Sequence, residues 1–298
     1  MDAFGPVLLK NKAAIEVIPR KTFKYGLTDR HQLDVFYPPA SSGATKAPIL
    51  FFSYGGGFIS GDRSVPGPYE SVVYRNLGTY FASKGFITVI PDYRLVPNVK
   101  FPEASEDIRD AVFWIVQNPA IYKSAEGPEP DVDNLILMGH SAGAVHTAIL
   151  MLYPPVLAVT PYLRGHIKAV VLSGALYHFG VAALPPPILA QYFGEGEELE
   201  QRAVLNLLKS APPTLLKGLP QILMVESGRD TKAMQVSGAD FRPVLAERMK
   251  EVGGGANGWT EAPWIVAKEH NHLSLNWALM SGEGDEWAEE LVNDLKKL

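Results

Sequence analysis

The sequence predicts an α/β fold with a mostly parallel sheet of eight strands flanked by helices. Short β-branched or aromatic runs alternate with amphipathic segments, which is the order that parallel strands joined by helices require. The run Ala47–Ser53 is continuous and apolar, as expected for a strand covered on both faces. With 298 residues, 47% of them hydrophobic, the chain can bury one large core. No repeat or linker divides it, so residues 1–298 are expected to form a single domain.

The predicted elements follow from two kinds of pattern. Strands are expected where apolar runs end at turn residues, and helices where apolar residues recur at 3.6-residue spacing. The first two strands are expected to pair antiparallel at the start of the sheet. The predicted strands are Thr22–Tyr25, His31–Tyr37, Ala47–Ser53, Phe86–Ile90, Asn134–Met138, Ile167–Leu172, Gln221–Val225 and Pro263–Ala267. The predicted helices include Ser105–Gln117, Phe241–Val252 and Glu286–Leu295.

The longest gap between core strands, from Ser173 to Leu219, is too long for a plain crossover loop. It contains a helical pattern over Glu197–Leu208 and the proline-rich run Leu184-Pro185-Pro186-Pro187. We expect residues 174–218 to form a small helical lid over the strand ends, with a contribution from residues 1–20. A surface excursion without substrate contact is the alternative interpretation.

Composition and charge exclude several classes of protein. The chain has no cysteine, so disulfides, thiolate catalysis and cysteine-ligated metals are ruled out. A net charge of -5 gives no basic face, and nucleic acid is therefore not expected as a partner. No signal peptide and no apolar stretch of membrane-spanning length is recognised, so a cytoplasmic location is expected. We expect neither a metal nor a cofactor, and a homodimer is left open.

The sharpest chemical signal is the pentapeptide Gly139-His140-Ser141-Ala142-Gly143. It follows an apolar strand and precedes a predicted helix from Ala142 to about Met151. A G-x-S-x-G motif in this strand-to-helix context indicates a nucleophilic serine. The flanking glycines allow a sharp turn that exposes the serine hydroxyl. The helix N-terminus directs amides and a positive dipole at charge developing on a substrate. Ser141 is therefore the predicted nucleophile.

A serine nucleophile needs a base, and the base needs an orienting carboxylate. Where G-x-S-x-G lies at a strand-to-helix turn, the partners follow in the order serine, acid, histidine. Asp230 lies in the turn after the strand Gln221–Val225 and is the predicted acid, with Glu226 as the alternative. His272 follows the last strand and is the predicted base. His270 is the second candidate there, expected to brace the loop or line the pocket.

Acyl transfer also requires donors for an oxyanion. Tyr54-Gly55-Gly56-Gly57-Phe58 follows a buried strand, where glycines let bare amides approach a carbonyl oxygen. The amides of Gly56, Gly57 and Ala142 are predicted to form the oxyanion hole. A second run, Gly253-Gly254-Gly255, follows a charged helix end and is interpreted as a flexible surface connection.

Together these residues resemble the hormone-sensitive-lipase-like branch of α/β-hydrolase carboxylesterases, which carry HGGG and GxSxG motifs. The likeness extends from about Lys21 to the C-terminus. It includes Pro91-Asp92-Tyr93-Arg94-Leu95, then Phe101-Pro102-Glu103 and Glu106-Asp107, which look like the branch's DYRL…FP…ED segment. The resemblance implies the α/β-hydrolase fold, the triad Ser141, Asp230 and His272, and the same three oxyanion donors.

Two departures from the branch bear on specificity. Tyr54 stands where the branch usually has histidine, so the group that orients the glycine loop must differ. The closing motif His270-Asn271-His272-Leu273-Ser274 is nearer to the His-apolar-Ser ending of formamidase-like and feruloyl-esterase-like relatives. These departures concern the substrate class more than the mechanism.

The predicted function is serine-dependent hydrolysis of a small carboxylic ester through an acyl-enzyme. An arylformamidase or other amidase would use the same triad, and a ligand receptor on an inactive hydrolase fold is a third hypothesis. Five aromatic residues are candidates for an apolar substrate pocket, or alternatively pack the lid onto the body. They are Phe58, Tyr177, Phe179, Tyr192 and Phe193.

Overall fold

The computed structural model describes residues 4–40, 44–181 and 186–298, and one eight-stranded sheet lies at its centre. The strands are β1 (Arg20–Lys24), β2 (Gln32–Phe36), β3 (Lys46–Ser53), β4 (Ile87–Pro91), β5 (Glu129–His140), β6 (Ile167–Ser173), β7 (Gln221–Ser227) and β8 (Trp264–Ala267). Their order across the sheet is β1-β2-β4-β3-β5-β6-β7-β8. β2 runs antiparallel to both of its neighbours, and all other adjacent pairs are parallel. The predicted fold class is confirmed.

Helices connect the strands and cover the sheet. They are α1 (Gly5–Lys10), α2 (Lys12–Glu16), α3 (Arg75–Ser83), α4 (Glu103–Gln117), α5 (Pro119–Tyr122), α6 (Ala142–Leu152), α7 (Pro154–Leu157), α8 (Leu163–His166), α9 (Pro186–Phe193), α10 (Glu197–Arg202), α11 (Val204–Ser210), α12 (Pro213–Lys217), α13 (Lys232–Glu251), α14 (Ser274–Trp277) and α15 (Glu286–Leu295). Leu184 and Pro185 of the predicted lid, and residues 1–3 of the predicted N-terminal contribution, lie outside the described residues.

The core lies on both sides of the central strands. In β3, the four consecutive residues from Ile49 to Phe52 are at most 1% exposed, because helices cover the two faces of the parallel part of the sheet. Helix α6 is buried along its whole length, as an apolar helix in the interior of a large domain should be. None of the helices in the described ranges combines the length and apolar character that crossing a bilayer requires.

Two helices differ from the sequence prediction. Helix α13 begins at Lys232 rather than at Phe241, because packing of the buried Gly238 overrides its poor helix propensity. The predicted helix Glu197–Leu208 is instead the pair α10 and α11, since Ala203 between them has an extended backbone.

The sheet brings the predicted functional segments to one edge. Strands β3, β5, β6, β7 and β8 are parallel, so their carboxyl ends lie side by side. In this register Ser53 pairs with Gly139 and Ser227 pairs with Ala267. The carboxyl edge of a parallel sheet is where α/β folds bind ligands. The glycine-rich turn, the G-x-S-x-G turn and both loops of the predicted acid and base therefore meet there.

Candidate active site

The strand-to-helix turn predicted from G-x-S-x-G is present between β5 and α6. Ser141 has φ 54° and ψ −124°, a conformation that a residue with a side chain rarely adopts. Its amide donates to the carbonyl of Ser173 at 2.9 Å, and its carbonyl accepts from the amides of Ala144 and Val145. The strained backbone is thus held by hydrogen bonds on both sides, and the serine hydroxyl projects from the end of the sheet.

Ser141, His272 and Asp230 form a continuous chain of hydrogen bonds. His272 Nδ1 lies 2.9 Å from Asp230 Oδ2, and His272 Nε2 lies 2.8 Å from Ser141 Oγ. A carboxylate only accepts hydrogen bonds, so the proton of the neutral imidazole lies on Nδ1 and Nε2 accepts from the serine hydroxyl. The structure therefore brings together the three residues that the sequence predicted, in a geometry suited to proton transfer.

Asp230 is fixed in the turn after β7. Its side chain is 4% exposed, and Oδ1 accepts from the amide of Thr231 at 2.7 Å. The amide of Arg229 donates to the carbonyl of His270 at 2.8 Å, which ties the acid loop to the base loop. The alternative acid, Glu226, faces helix α13 instead, where its nearest cation is Arg242 at 3.9 Å. Burial raises the pKa of Glu226.

The base loop is a tight turn built by its own polar side chains. Asn271 Oδ1 accepts from the amides of Leu273 and Ser274 at 3.0 and 2.9 Å. His270 is buried, its Nδ1 lies 3.2 Å from Ser274 Oγ, and its ring stacks on Phe4. His270 therefore braces the loop, while His272 faces Ser141. The unusual closing motif of the sequence is explained by this network.

The glycine-rich turn after β3 lies against Ser141. Gly56 has φ +147°, and a Cβ there would overlap the carbonyl oxygen of Ser60, so only glycine fits. At Gly55 a Cβ would come within 2.7 Å of the Ser141 Cβ. Among the described residues, the amides of Gly56 and Gly57 have no hydrogen-bond acceptor. Unused amides beside a serine hydroxyl are the donors that an oxyanion hole needs.

Tyr54 anchors this turn in place of the histidine that the resemblance leads one to expect. Its hydroxyl donates to Asp92 Oδ1 at 2.8 Å and accepts from Arg30 Nη2 at 2.7 Å. Its carbonyl accepts from the hydroxyl of Tyr93 at 2.6 Å, and the two tyrosine rings stack. The side chain and the backbone of Tyr54 are both fixed, so the glycines that follow start from a defined position.

Asp92 is the centre of this anchoring network. Besides Tyr54, it accepts from the amide of Arg63 at 2.6 Å and pairs with the Arg63 guanidinium. Burial raises the pKa of Asp92, while Arg63 and Tyr54 oppose that shift. The sequence prediction did not include Arg30 and Arg63, because their separation from Asp92 along the chain gives no signal. These residues support the turn and do not face the cavity.

A cavity of about 480 Å³ opens above Ser141 and His272. Gly55, Gly56 and Gly57 form one side of it. Its apolar wall consists of Val65, Pro66, Tyr74, Met234, Leu273 and Trp277. Among the described lining residues, Asp62 is the one carboxylate. Pockets of this size typically hold small organic ligands.

The aromatic residues suggested by the sequence do not line this cavity. Phe58 stacks on Tyr192 at 5.3 Å and packs edge-on against Phe193. Phe179 packs against Phe193 as well, and Tyr177 stacks on Phe241 at 4.0 Å. The pocket hypothesis for these residues is therefore wrong. The alternative holds, since their rings join the segment around α9 to the body.

The described part of residues 174–218 contributes none of the residues that line the cavity around Ser141. Helix α11 in this segment packs on α6 and α13. The cavity is instead lined by residues from the segment 60–66, from α14 with the residue before it, and from the start of α13. Among the described residues, no group of three or more histidine and acidic side chains is placed to hold a metal ion.

The sheet order and the position of Ser141 at a strand-to-helix turn are those of the α/β-hydrolase fold, with a serine, a histidine and an aspartate in hydrogen-bond contact. A model of the BD-FAE family matches residues 33–155. The chain is 32% identical over 171 residues to a probable carboxylesterase, M8, of Phoma sp., covering 53% of this chain and 48% of that protein. It therefore spans about half the length of this curated relative.

Solved structures agree with this classification at the level of the fold. Esterase B from Lactobacillus rhamnosis superposes with a TM-score of 0.71 at 17% identity, covering 100% of this chain and 96% of that one. An esterase from Pyrobaculum calidifontis gives 0.66 at 20% identity, covering 98% and 90%. The chain has the α/β-hydrolase fold, and its resemblance to carboxylesterases is confirmed.

Proposed function

We propose that this protein hydrolyses a small carboxylic ester through an acyl-enzyme intermediate. The observation that carries the proposal is the hydrogen-bond chain from Ser141 through His272 to Asp230, with distances of 2.8 and 2.9 Å. Three side chains from distant parts of the sequence meet in the order that nucleophilic catalysis by serine requires. The likeness to the probable carboxylesterase M8 of Phoma sp. supports the same reaction.

The mechanism follows from the position of each group. His272 Nε2 accepts the Ser141 proton as the hydroxyl attacks the ester carbonyl, and Asp230 stabilises the imidazolium that forms. The amides of Gly56, Gly57 and Ala142 donate to the developing oxyanion, with the N-terminus of α6 adding a favourable dipole. His272 then protonates the leaving alcohol. In the second half, His272 activates a water that releases the acid and restores Ser141.

The cavity supports a small and largely apolar substrate. Its volume of about 480 Å³ and its wall of aliphatic and aromatic side chains suit a short or medium acyl group or an aromatic one. Binding such a group buries apolar surface and holds the ester carbonyl near Ser141 and the glycine turn.

The test is hydrolysis of p-nitrophenyl esters from acetate to palmitate by the wild type and three variants. Ser141→Ala and His272→Ala are expected to lower kcat by about 10⁴-fold or more. Ser210→Ala on α11 removes a serine away from the cavity and should leave kcat unchanged. A wild-type kcat in Ser141→Ala would contradict the proposed function. Faster hydrolysis of the palmitate ester than of the butyrate ester would contradict the proposed preference for a small substrate.

The amidase alternative is separated by measuring N-formylkynurenine alongside p-nitrophenyl acetate. A higher kcat/KM on the formamide would assign the same triad to amide cleavage. A receptor without catalysis would hydrolyse neither compound. The single domain, the lid at 174–218, the cytoplasmic location and the homodimer stay predictions from the sequence.

A further inference from the structure

His140, the residue before Ser141, lies between the nucleophile turn and the base loop. It is 2% exposed, and its Nε2 lies 2.9 Å from the backbone carbonyl of His272. The two imidazole rings are 4.7 Å apart, centre to centre. The hydrogen bond therefore joins the last residue of β5 directly to the backbone of the predicted base.

The protonation state of His140 follows from its surroundings. Burial, with a smaller contribution from His272, lowers the pKa of His140 to about 3. The ring is therefore neutral at the pH at which esterases work, and it carries one donor and one acceptor. A carbonyl oxygen can only accept, so the proton lies on Nε2 and is donated to His272.

The other nitrogen of His140 has no partner. Among the described residues, Nδ1 is buried without a hydrogen bond, in the wall of the cavity beside Gly55. An unpaired buried acceptor costs free energy, which offsets much of what the hydrogen bond from Nε2 contributes to stability. The histidine is thus not explained by stability alone, and its one hydrogen bond is the contact with His272.

We propose that His140 is a positioning residue that holds the His272 backbone through Nε2–H and so sets the distance between the imidazole and Ser141. This inference rests on the proposed function. The turn formed by Asn271 fixes the shape of the base loop, but not its distance from β5. His140 supplies that distance because it is covalently next to Ser141. A displacement of about 1 Å in such a geometry can cost about 100-fold in rate.

The experiment uses three variants of the full chain assayed on p-nitrophenyl butyrate. His140→Leu removes the donor and is expected to lower kcat about 10- to 100-fold with KM changed less than about twofold. His140→Gln can place an amide donor near the position of Nε2, and it should recover most of kcat. His146→Leu is the matched control, because His146 is equally buried, with its pKa also lowered to about 3 by burial, but it does not line the cavity. Its kcat should stay within about threefold of the wild type.

Two further measurements separate positioning from a structural role. The melting temperature of His140→Leu should stay within about 3 °C of the wild type, because the loss of the hydrogen bond to the His272 carbonyl and the removal of the unpaired Nδ1 have opposite effects on stability. The downfield proton signal of the His272–Asp230 hydrogen bond should broaden in His140→Leu and persist in His140→Gln.

Each remaining outcome overturns the inference. Wild-type kcat in His140→Leu, equal losses in His140→Gln and His140→Leu, or an equal loss in His146→Leu would each show that His140 does not act through its donor. Activity in Ser141→Ala would instead reject the proposed function, so the two failures are distinguishable.

Discussion

Two runs of three glycines, residues 55–57 and 253–255, look alike in the sequence and differ in the structure. Both are approached closely by their neighbours. A Cβ at Gly56 would overlap the carbonyl of Ser60, and a Cβ at Gly255 would come within 2.7 Å of the carbonyl of Leu219. Close packing alone therefore does not distinguish a catalytic turn from a structural one.

The difference lies in the backbone amides. Gly253, Gly254 and Gly255 donate to the carbonyls of Lys250, Met249 and Trp259, at 3.1, 2.8 and 2.9 Å. The amides of Gly56 and Gly57 have no acceptor in the part of the chain that the structure describes. The unpaired amides of the first run lie next to the cavity and are available to bind a ligand, whereas the paired amides of the second run close the end of helix α13.

The second run also corrects an expectation from the sequence. Gly254 and Gly255 are buried, and the indole of Trp259 donates to the carbonyl of Leu219 at 2.9 Å. The flexible surface connection predicted for this run is wrong, because it is a packed turn after α13.

Among the changes that compare the two glycine runs, Gly56→Ala is expected to have the largest effect. The added methyl group would displace the turn from the Ser60 carbonyl and carry the neighbouring amides away from Ser141. Loss of one oxyanion donor typically lowers kcat by about 10²- to 10³-fold, and we expect a loss in that range. The measurement is kcat/KM on p-nitrophenyl butyrate. Activity within about threefold of the wild type would show that the turn does not supply the oxyanion donors.

Gly255→Ala should lower stability and leave catalysis unchanged, the opposite of Gly56→Ala. The methyl group meets the backbone at Leu219, so we expect a loss of about 1–3 kcal/mol in the free energy of unfolding. At 25 °C the folded enzyme should keep its wild-type kcat, because this turn does not line the cavity. Denaturant unfolding and steady-state kinetics on the same sample test both parts. A tenfold fall in kcat with an unchanged free energy of unfolding would contradict the assignment of a purely structural role to the second run.

Each glycine run is held by a neighbouring aromatic side chain, Tyr54 for the first run and Trp259 for the second, and substituting these residues extends the comparison. Tyr54→Phe removes the hydroxyl between Asp92 and Arg30, and we expect kcat to fall about tenfold because the glycine turn becomes less firmly held.

Trp259→Phe removes the indole donor to the carbonyl of Leu219. We expect the free energy of unfolding to fall by about 1–2 kcal/mol with kcat unchanged. The same assays report both variants. If Tyr54→Phe loses only stability, the polar network around Asp92 does not position the turn for catalysis.

The sequence could predict the sheet because its central strands are buried on both faces. Ala47–Ser53 is apolar for that reason, and the observed strand Lys46–Ser53 differs from it by one residue. The three residues of the proposed triad could also be predicted, since a parallel sheet brings the loops after its strands together at one edge. The local patterns around Ser141 and His272 then identified the residues.

The rest of the site depends on contacts that leave no local pattern. Arg30 and Arg63 reach Asp92 from 62 and 29 residues away, and nothing near them in the sequence selects these arginines over others. The cavity wall was missed for the same reason. Trp277 lines the cavity, whereas Phe58 packs elsewhere, although both are aromatic residues near candidate site residues. Aromatic composition near a motif therefore does not identify a pocket.

The smallest expected effect concerns the charge of the cavity beside the first glycine run. Asp62 lines the cavity with its side chain 33% exposed and lies 3.8 Å from the Arg30 guanidinium, so solvent and this cation both weaken its charge. It should still disfavour an ester whose acyl group carries a carboxylate. Asp62→Asn is expected to raise kcat/KM for p-nitrophenyl hemisuccinate about fivefold and to change kcat/KM for p-nitrophenyl butyrate less than twofold.

The control variant Glu195→Gln removes an equal charge from an exposed site, and it should leave kcat/KM for both esters unchanged. The Asp62→Asn gain should shrink in 0.5 M salt, because screening weakens the repulsion in the wild type. An unchanged preference in Asp62→Asn would mean that the acyl group lies away from this wall, on the side of Met234 and Trp277.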